Sequence, residues 1–345
     1  MAWTTVLLRV AECGGRVARL AGDLCGHLGL PLLWRAPKTE GCGVRGQVVL
    51  PPPGGTFIEG RAAGLAPVTV AYERQGTGEP VVLLHGLGCQ RQAWDPVVPL
   101  LTGHREIVAM DLPGFGWSPD LDPGVPRDLE TAAAWLGSVF TALHVDRPHV
   151  VGHSLGGLIA LHLGQAGLVR SVTALAPAGF WTAAERRYAY AMLTAAHNGV
   201  RLLPDAVLER LPHTAVARAA LTGTLYGDPD LCPPEWVAMV LRALRDSVAF
   251  KATLRAGRAP NLFTGDIPDI PVTVAWGTRD RLLPPWQADR LRAMIPPARL
   301  VPLYGCGHVP MLDAPDLVAR VILQATEPPH EAAASNPAPA GTDAP

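Results

Sequence analysis

Seven short apolar runs alternate with helical patterns between residues 68 and 325, and this alternation constrains the fold more than any other feature. The runs are rich in Val, Leu, Ile and Ala and are predicted to be strands: 68–73, 80–85, 106–111, 149–153, 172–177, 272–277 and 299–304. Helices are predicted between them, near 91–102, 129–143, 155–167, 284–295 and 314–325. Nearly continuous apolar strands separated by helices predict an α/β fold, with a mostly parallel central sheet covered by helices on both faces.

The regular alternation stops between residues 179 and 260, where helical segments at 183–197 and 234–256 follow one another without a convincing strand. An insertion at this point lies at the carboxyl ends of the parallel strands, where ligands bind in open α/β sheets. We therefore predict an α/β core formed by residues 67–178 and 261–325, with residues 179–260 as a helical lid.

The two ends of the chain differ from this core in composition. Residues 1–34 form an amphipathic helical pattern, which predicts contact with the domain, with a partner subunit or with a membrane surface through residues 3–29. Residues 35–66 are rich in Pro and Gly and are predicted to be a linker or irregular wrap, with one strand around Thr56–Glu59. Residues 326–345 contain five Pro, no aromatic residue and no Lys or Arg, which predicts a disordered tail.

The overall charge is close to zero, with 29 basic and 30 acidic side chains and a formal net charge of −1. This balance gives no field that would attract nucleic acid or an anionic membrane, so we expect a small-molecule substrate and no nucleic-acid partner. Six scattered cysteines indicate neither a zinc site nor a disulfide framework, and we expect no metal or cofactor. Reduced thiols and the charges that interrupt the apolar N-terminal segment favour a cytoplasmic location, with membrane association through residues 3–29 as the alternative.

Ser154 lies in the sequence G-H-S-L-G, where Gly152 and Gly156 flank it two residues away on either side. The motif falls between the predicted strand at 149–153 and the helix that follows it. This context is typical of a nucleophile elbow, a tight strained turn whose glycines remove side chains that would collide. A free hydroxyl is a poor nucleophile near neutral pH, so such a serine requires a base.

With this strand, motif and helix, the chain resembles the α/β-hydrolase superfamily over residues 66–325. The resemblance implies a triad in the chain order serine, acid, histidine. His308 stands in Y-G-C-G-H-V-P-M, the glycine-flanked loop where the family carries its base, whereas His330 lies in the predicted tail. Asp280, in A-W-G-T-R-D, follows the penultimate strand as the family's acid does. The predicted catalytic residues are therefore Ser154, Asp280 and His308.

The tetrahedral oxyanion formed on attack needs preorganised N–H donors. His-Gly-Leu-Gly at residues 85–88 resembles the family's oxyanion loop, so the backbone N–H groups of Leu87 and Leu155 are predicted to form the oxyanion hole. His85 is predicted to support this loop through hydrogen bonds rather than to act as a second base.

Aromatic and apolar side chains in the predicted lid favour an apolar substrate. Five of them are assigned to the substrate pocket: Phe180, Trp181, Tyr188, Met192 and Trp236. The alternative is that these side chains only pack the lid helices against one another.

A serine triad with an oxyanion hole implies acyl transfer through an acyl-enzyme, normally completed by water. We therefore expect a serine hydrolase that cleaves an ester, or a related acyl bond, of a small apolar substrate. Three alternatives stay open. The first is a carbon–carbon bond hydrolase acting on a diketone-type substrate, and the second is an acyltransferase. The third and least favoured is a non-catalytic ligand-binding protein, in which we would expect a member of the triad to be missing.

Overall fold

In the part of the chain that the structure describes, the central element is a mixed sheet of eight strands: β1 (Thr56–Gly60), β2 (Val68–Gln75), β3 (Pro80–Leu84), β4 (Glu106–Met110), β5 (His149–His153), β6 (Ser171–Leu175), β7 (Val272–Gly277) and β8 (Arg299–Leu303). Their order across the sheet is β1-β2-β4-β3-β5-β6-β7-β8. β2 pairs antiparallel with β1 and with β4, and all other pairs are parallel. The α/β prediction with a mostly parallel sheet is therefore confirmed.

The computed structural model describes residues 56–258 and 270–327, together with residues 263, 265 and 267. The predicted helix at 1–34, most of the predicted linker and all but the first two residues of the predicted tail lie outside this range. Contact through residues 3–29 and a cytoplasmic location therefore stay predictions. The sheet itself begins at Thr56, upstream of the core boundary predicted at residue 67, because β1 pairs along its whole length with β2.

Helices flank the sheet at α1 (Val98–Leu101), α2 (Leu129–Ala142), α3 (Leu155–Gln165), α4 (Ala183–Arg201), α5 (Asp205–Arg210), α6 (Ala215–Thr222), α7 (Pro234–Asp246), α8 (Phe250–Ala256), α9 (Gln287–Met294), α10 (Pro310–Asp313) and α11 (Pro315–Ala325). Short 3₁₀ turns occur at Arg91–Trp94, Leu211–His213 and Pro229–Leu231. None of these helices is long and apolar enough to cross a membrane.

Alternate side chains of the central strands enter two separate cores. Val82 of β3 packs in one buried cluster with Leu136 of α2 and Leu161 of α3. The next residue, Leu83, belongs to a second buried cluster that contains Ile322 of α11. Because successive side chains of a strand point to opposite faces, the two clusters lie on the two faces of the sheet. Both faces are therefore covered by helices, as the apolar strand pattern predicts.

Proline and one extended residue account for the main differences from the predicted elements. The helix predicted near 91–102 is instead a 3₁₀ turn followed by the short helix α1, since Pro96 interrupts it. The helix predicted at 234–256 is divided into α7 and α8, because Ser247 adopts an extended conformation with ψ of 99°. The segment between β6 and β7 is helical as predicted, but α5 and α6 were not anticipated.

Glu185 fixes the first helix of this segment, α4, to α9. Glu185 and Thr182 form a capping box at the N-terminus of α4. The Glu185 carboxylate also accepts hydrogen bonds from the indole of Trp286 (2.6 Å) and the guanidinium of Arg290 (2.5 Å). Burial alone would raise the pKa of Glu185, but hydrogen bonds from the Thr182 N–H and these two side chains outweigh it and lower the pKa to about 2. The charged carboxylate therefore stabilises this junction.

We predict that Glu185→Gln lowers the free energy of unfolding at neutral pH by about 1–2 kcal/mol, because the amide replaces a charged acceptor in the cap. The pKa is lowered from 4.5 to about 2, so the stabilisation is complete above pH 4.5 and is lost as the pH falls toward 2. Chemical denaturation of both proteins between pH 7 and about pH 3 measures this difference. Glu130→Gln, in the first turn of α2, is the matched control. An equal effect in the control, or a difference that does not change with pH, would contradict the assignment.

Candidate active site

Four loops meet at one edge of the sheet. Residues 85–88 follow β3, Ser154 follows β5, Asp280 follows β7 and His308 follows β8. These four strands run parallel within one continuous part of the sheet, so their carboxyl ends lie at the same edge. Open α/β sheets bind their ligands at such an edge.

The turn at Ser154 has the geometry of a nucleophile elbow. Ser154 has φ of 52° and ψ of −110°, a conformation that costs about 1–3 kcal/mol in a non-glycine residue. A Cβ atom at position 152 would lie 2.0 Å from the Gly156 oxygen, and one at position 156 would lie 2.3 Å from the Leu84 oxygen. Only glycine fits at either position, so the turn itself requires the G-x-S-x-G pattern.

Asp280 and His308 are joined by a buried hydrogen bond of 2.8 Å between Nδ1 and Oδ2. The His308 side chain is 4% exposed and that of Asp280 is 0% exposed. The other carboxylate oxygen of Asp280 accepts the N–H groups of Leu282 (2.9 Å) and Leu283 (2.8 Å). Because a carboxylate oxygen can only accept a hydrogen bond, Nδ1 of His308 carries the proton in this pair. In the neutral ring, Nε2 is then the basic nitrogen.

His153 connects the turn at Ser154 to the loop that carries His308. Its Nε2 donates a 2.8 Å hydrogen bond to the backbone oxygen of His308, and the two ring centroids are 4.8 Å apart. Burial, reinforced by the adjacent His308 ring, holds the pKa of His153 well below its ordinary value, so the ring is neutral. The hydroxyl of Ser154 makes no hydrogen bond with the residues described. Catalytic hydrogen bonds often form fully only when substrate binds.

The loop at residues 85–88 passes directly beside the serine. A Cβ atom at Gly86 would lie 3.3 Å from Cβ of Ser154. His85 holds this loop, since its Nε2 accepts the Leu112 N–H at 2.9 Å and its Nδ1 donates to the Gly86 oxygen at 2.7 Å. Burial lowers the pKa of His85, which keeps its ring neutral. With both nitrogens engaged, His85 supports the loop, as the sequence predicted.

Two free backbone donors flank the serine. Leu87 lies in the adjoining loop, and Leu155 is the first residue of α3. Neither N–H donates a hydrogen bond to any residue within 56–258 or 270–327. The N-terminus of a helix also favours negative charge. These two groups therefore have the character that an oxyanion hole requires.

The sequence pattern did not single out Asp313, a half-buried acid that holds the histidine loop. Its Oδ2 accepts the N–H of Gly307 at 2.7 Å and that of Gly227 at 3.0 Å. The two loops pack backbone to backbone, because a Cβ at Gly227 would lie 1.9 Å from the Gly305 oxygen. The only signal in the sequence is an acid five residues after His308, and an isolated Asp near a loop is more often a turn former or a helix cap.

Three predicted pocket residues belong to the same apolar core as Leu87 and Leu155. Phe180 is buried in the first core cluster, and Trp181 and Met192 pack against that cluster. Leu87 and Leu155 pack against the same cluster. Of the three, Trp181 also packs with Leu87 against a small cluster formed by Tyr190, Phe250 and Leu254, which places it near the loop at residues 85–88.

The other two predicted pocket residues lie elsewhere. Tyr188 is 43% exposed, one turn before Met192 on α4, and therefore lies at the surface. Trp236 packs against the second core cluster and donates a 3.0 Å hydrogen bond to the hydroxyl of Tyr226. Its indole is thus engaged in packing α7, which is the alternative that the sequence left open for these side chains.

Thiol groups near the site are protonated. Burial raises the pKa of Cys89 and of Cys306 to about 11, and a thiol is a poor nucleophile without its thiolate. Within the described ranges, no group of three or more His, Cys, Asp or Glu side chains is placed to hold a metal ion.

Known proteins share this architecture. A sequence profile of the alpha/beta hydrolase family matches residues 81–321. A pimeloyl-[acyl-carrier protein] methyl ester esterase of Methylococcus capsulatus is 32% identical over 266 residues, which cover 72% of this chain and 95% of that protein. A 2-hydroxy-6-oxo-2,4-heptadienoate hydrolase of Pseudomonas putida is 39% identical over 89 residues, covering 25% of this chain and 32% of that protein.

The fold is also found among solved structures. A thermophilic esterase from Thermogutta terrifontis superposes with a TM-score of 0.58 at 22% identity, covering 78% of this chain and 97% of that chain. At this identity the likeness concerns the fold alone. Together with the profile match over most of the chain, it confirms the resemblance drawn from the sequence: the chain belongs to the alpha/beta hydrolase family.

Proposed function

We propose that this protein is a serine hydrolase that cleaves an ester, or a related acyl bond, of a small apolar substrate through an acyl-enzyme. The observation that carries the proposal is the buried Asp280–His308 hydrogen bond, at the sheet edge where Ser154 occupies a strained turn. This pair leaves Nε2 of His308 as a base for the Ser154 hydroxyl, which makes no hydrogen bond with the residues described. Membership of a hydrolase family supports a small-molecule substrate.

The proposed reaction has two stages. Oγ of Ser154 attacks the acyl carbon while Nε2 of His308 takes its proton, and Asp280 stabilises the resulting imidazolium. The N–H groups of Leu87 and Leu155 bind the oxyanion. The imidazolium then gives its proton to the departing alcohol oxygen. Water, activated by the same nitrogen, attacks the acyl-enzyme and releases the acid and the free serine.

The packing of Trp181 and Leu87 against one small apolar cluster supports an apolar acyl or alcohol group. Phe180, Trp181 and Met192 lie in the same cluster as both proposed oxyanion donors. The helical segment that supplies them follows β6, and we propose that it acts as the lid over the site. The relative from Methylococcus capsulatus, which aligns over most of its own length, is named as an esterase, and this supports ester cleavage.

Carbon–carbon bond hydrolysis is a second candidate, because the Pseudomonas putida relative is named for a reaction on a dienoate. Trp276, in a stretch of sequence that resembles such enzymes, donates a 2.9 Å hydrogen bond to the Leu283 oxygen. This hydrogen bond stabilises the loop after Asp280. It does not favour ester hydrolysis over carbon–carbon bond hydrolysis, or the reverse. An acyltransferase would use the same residues, with an alcohol or thiol in place of water.

A substrate panel separates these reactions. We predict that the wild type hydrolyses short-chain p-nitrophenyl esters and that Ser154→Ala reduces kcat by at least about 10⁴-fold while the protein stays folded. Ser138→Ala, whose hydroxyl donates to the Trp135 oxygen, is the matched control and should retain full activity. Turnover of a vinylogous diketone in preference to the esters would favour the second candidate. If an alcohol is added and new ester forms in excess of free acid, the protein is an acyltransferase. Undiminished hydrolysis by Ser154→Ala would refute the assignment of Ser154 as the nucleophile.

Asp313 acts, in this proposal, as a positioning residue. It holds the N–H of Gly307, next to the proposed base, and the N–H of Gly227 from the helical segment. Burial raises the pKa of Asp313 in spite of these two donors. The acid nevertheless needs only an oxygen acceptor for this role, which an amide also supplies.

We therefore predict that Asp313→Ala lowers kcat for ester hydrolysis by about 10- to 100-fold, because small displacements of a catalytic group are costly. KM should change little. Asp313→Asn, which keeps the oxygen acceptor, should restore most of the lost rate. Equal losses in the two variants, or a rise in KM with kcat intact, would show that Asp313 does not position the base.

A further inference from the structure

A basic groove lies between α4 and α8, outside the catalytic residues. It consists of two adjoining hollows of about 540 and 260 Å³ that share Thr194, Asn198 and Arg258. Five cationic side chains line them: Arg186, Arg187, Lys251, Arg255 and Arg258. Among the described residues that line these hollows, none is acidic. The groove therefore concentrates positive charge in a chain whose net charge is −1.

The charge of this groove is not neutralised by the rest of the described chain. None of its five cations forms an ion pair there; the guanidinium of Arg186 donates only to the backbone oxygen of Arg258, at 3.4 Å. Other arginines of the same region are paired, since Arg245 contacts Asp205 and Arg290 contacts Glu185. Unpaired cations grouped in a concave surface attract anions, and their guanidinium groups can bind an oxyanion in bidentate fashion.

A buried imidazole provides a second sign of a binding site. His197 lines the smaller hollow and is 1% exposed, yet neither ring nitrogen has a hydrogen-bond partner of good geometry in the described part of the chain. Burial lowers the pKa of His197, the charges of Arg201 and Lys251 act in the same direction, and the weak influence of the adjacent Asn198 side chain does not offset them. The neutral imidazole offers one N–H donor, and an unsatisfied buried donor is uncommon in a folded protein. An anion held beside His197 would accept this hydrogen bond.

The groove adjoins the oxyanion loop through a single aromatic side chain. The ring of His197 stacks on that of Phe250, with centroids 4.1 Å apart and planes 2° apart. The other edge of Phe250 faces the loop, because a Cβ at Gly88 would lie 3.3 Å from it. Leu87 packs against the same small cluster. An anionic group in the groove therefore lies one side-chain layer from the proposed oxyanion hole.

We propose that this groove binds a phosphate group carried by the substrate, so that the preferred substrate is an acyl ester of a phosphorylated alcohol. The inference rests on the proposed hydrolase function and specifies its substrate class. Phosphate suits the groove better than a single carboxylate, because it presents more oxygens to several guanidinium groups.

The test compares the butyryl ester of glycerol with the butyryl ester of glycerol 3-phosphate. The wild type should have a kcat/KM at least about tenfold higher for the phosphorylated ester, and added salt should reduce this ratio. Arg187→Ala combined with Arg255→Ala should lower the ratio about tenfold, since two charged contacts are lost. Arg320→Ala, an exposed arginine on α11, is the matched control and should leave the ratio unchanged. A wild-type ratio near one, or a ratio that the double variant does not change, would overturn the proposal.

A binding measurement separates this inference from the proposed function. Glycerol 3-phosphate titrated into Ser154→Ala should bind by calorimetry, and about tenfold more weakly when Arg187 and Arg255 are also replaced. Binding without hydrolysis of either ester would support the groove and refute the hydrolase. Hydrolysis of the neutral ester without such binding would overturn the groove alone. Co-sedimentation with vesicles containing phosphatidic acid, lost in the double variant, would identify a lipid as the source of the phosphate, whereas preference for the soluble ester without co-sedimentation would identify a soluble one.

Discussion

The buried hydrogen bond between His308 and Asp280 is the interaction on which the site depends. A charged carboxylate is tolerated in a protein interior only when its oxygens are paired, and Asp280 meets this condition with one imidazole and two backbone N–H groups. The same bond fixes the proton on Nδ1 of His308, so that only Nε2 can act as the base. Ser154, held in a strained turn at the same sheet edge, supplies the group that such a base would activate.

The helical segment between β6 and β7 is connected to two other parts of the fold. It is joined to α9 through Glu185, and one of its loops shares the carboxylate of Asp313 with the histidine loop. It also contributes Trp181, which shares a small apolar cluster with Leu87, and the cations of the groove. The loop of this segment that contains Gly227 packs directly against the backbone of the histidine loop. Substitutions in the segment are therefore expected to affect the position of His308 as well as substrate binding.

Local patterns predicted the strands and the tight turn at Ser154, whereas the proposed roles of Asp280 and His308 came from the family resemblance. A strand buried on both faces is almost continuously apolar, and a turn as tight as that at Ser154 excludes every residue but glycine at two neighbouring positions. Contacts between distant segments left no such pattern. The acceptor role of Asp313 depends on a loop 86 residues away, and the packing of Trp236 against Tyr226 depends on how α7 is placed. Neither contact can be predicted from the residues that are close to it in the sequence.

The most direct test of the central claim is the site and rate of covalent labelling by a fluorophosphonate, which reacts with a serine only when a neighbouring base activates it. We expect one adduct per chain, located on Ser154 by peptide mass spectrometry and abolished by heat denaturation. His308→Asn should slow labelling by at least about a hundredfold, while His104→Asn, at an exposed position, should not change it. An adduct on another residue, or labelling of Ser154 at the same rate without His308, would contradict the account.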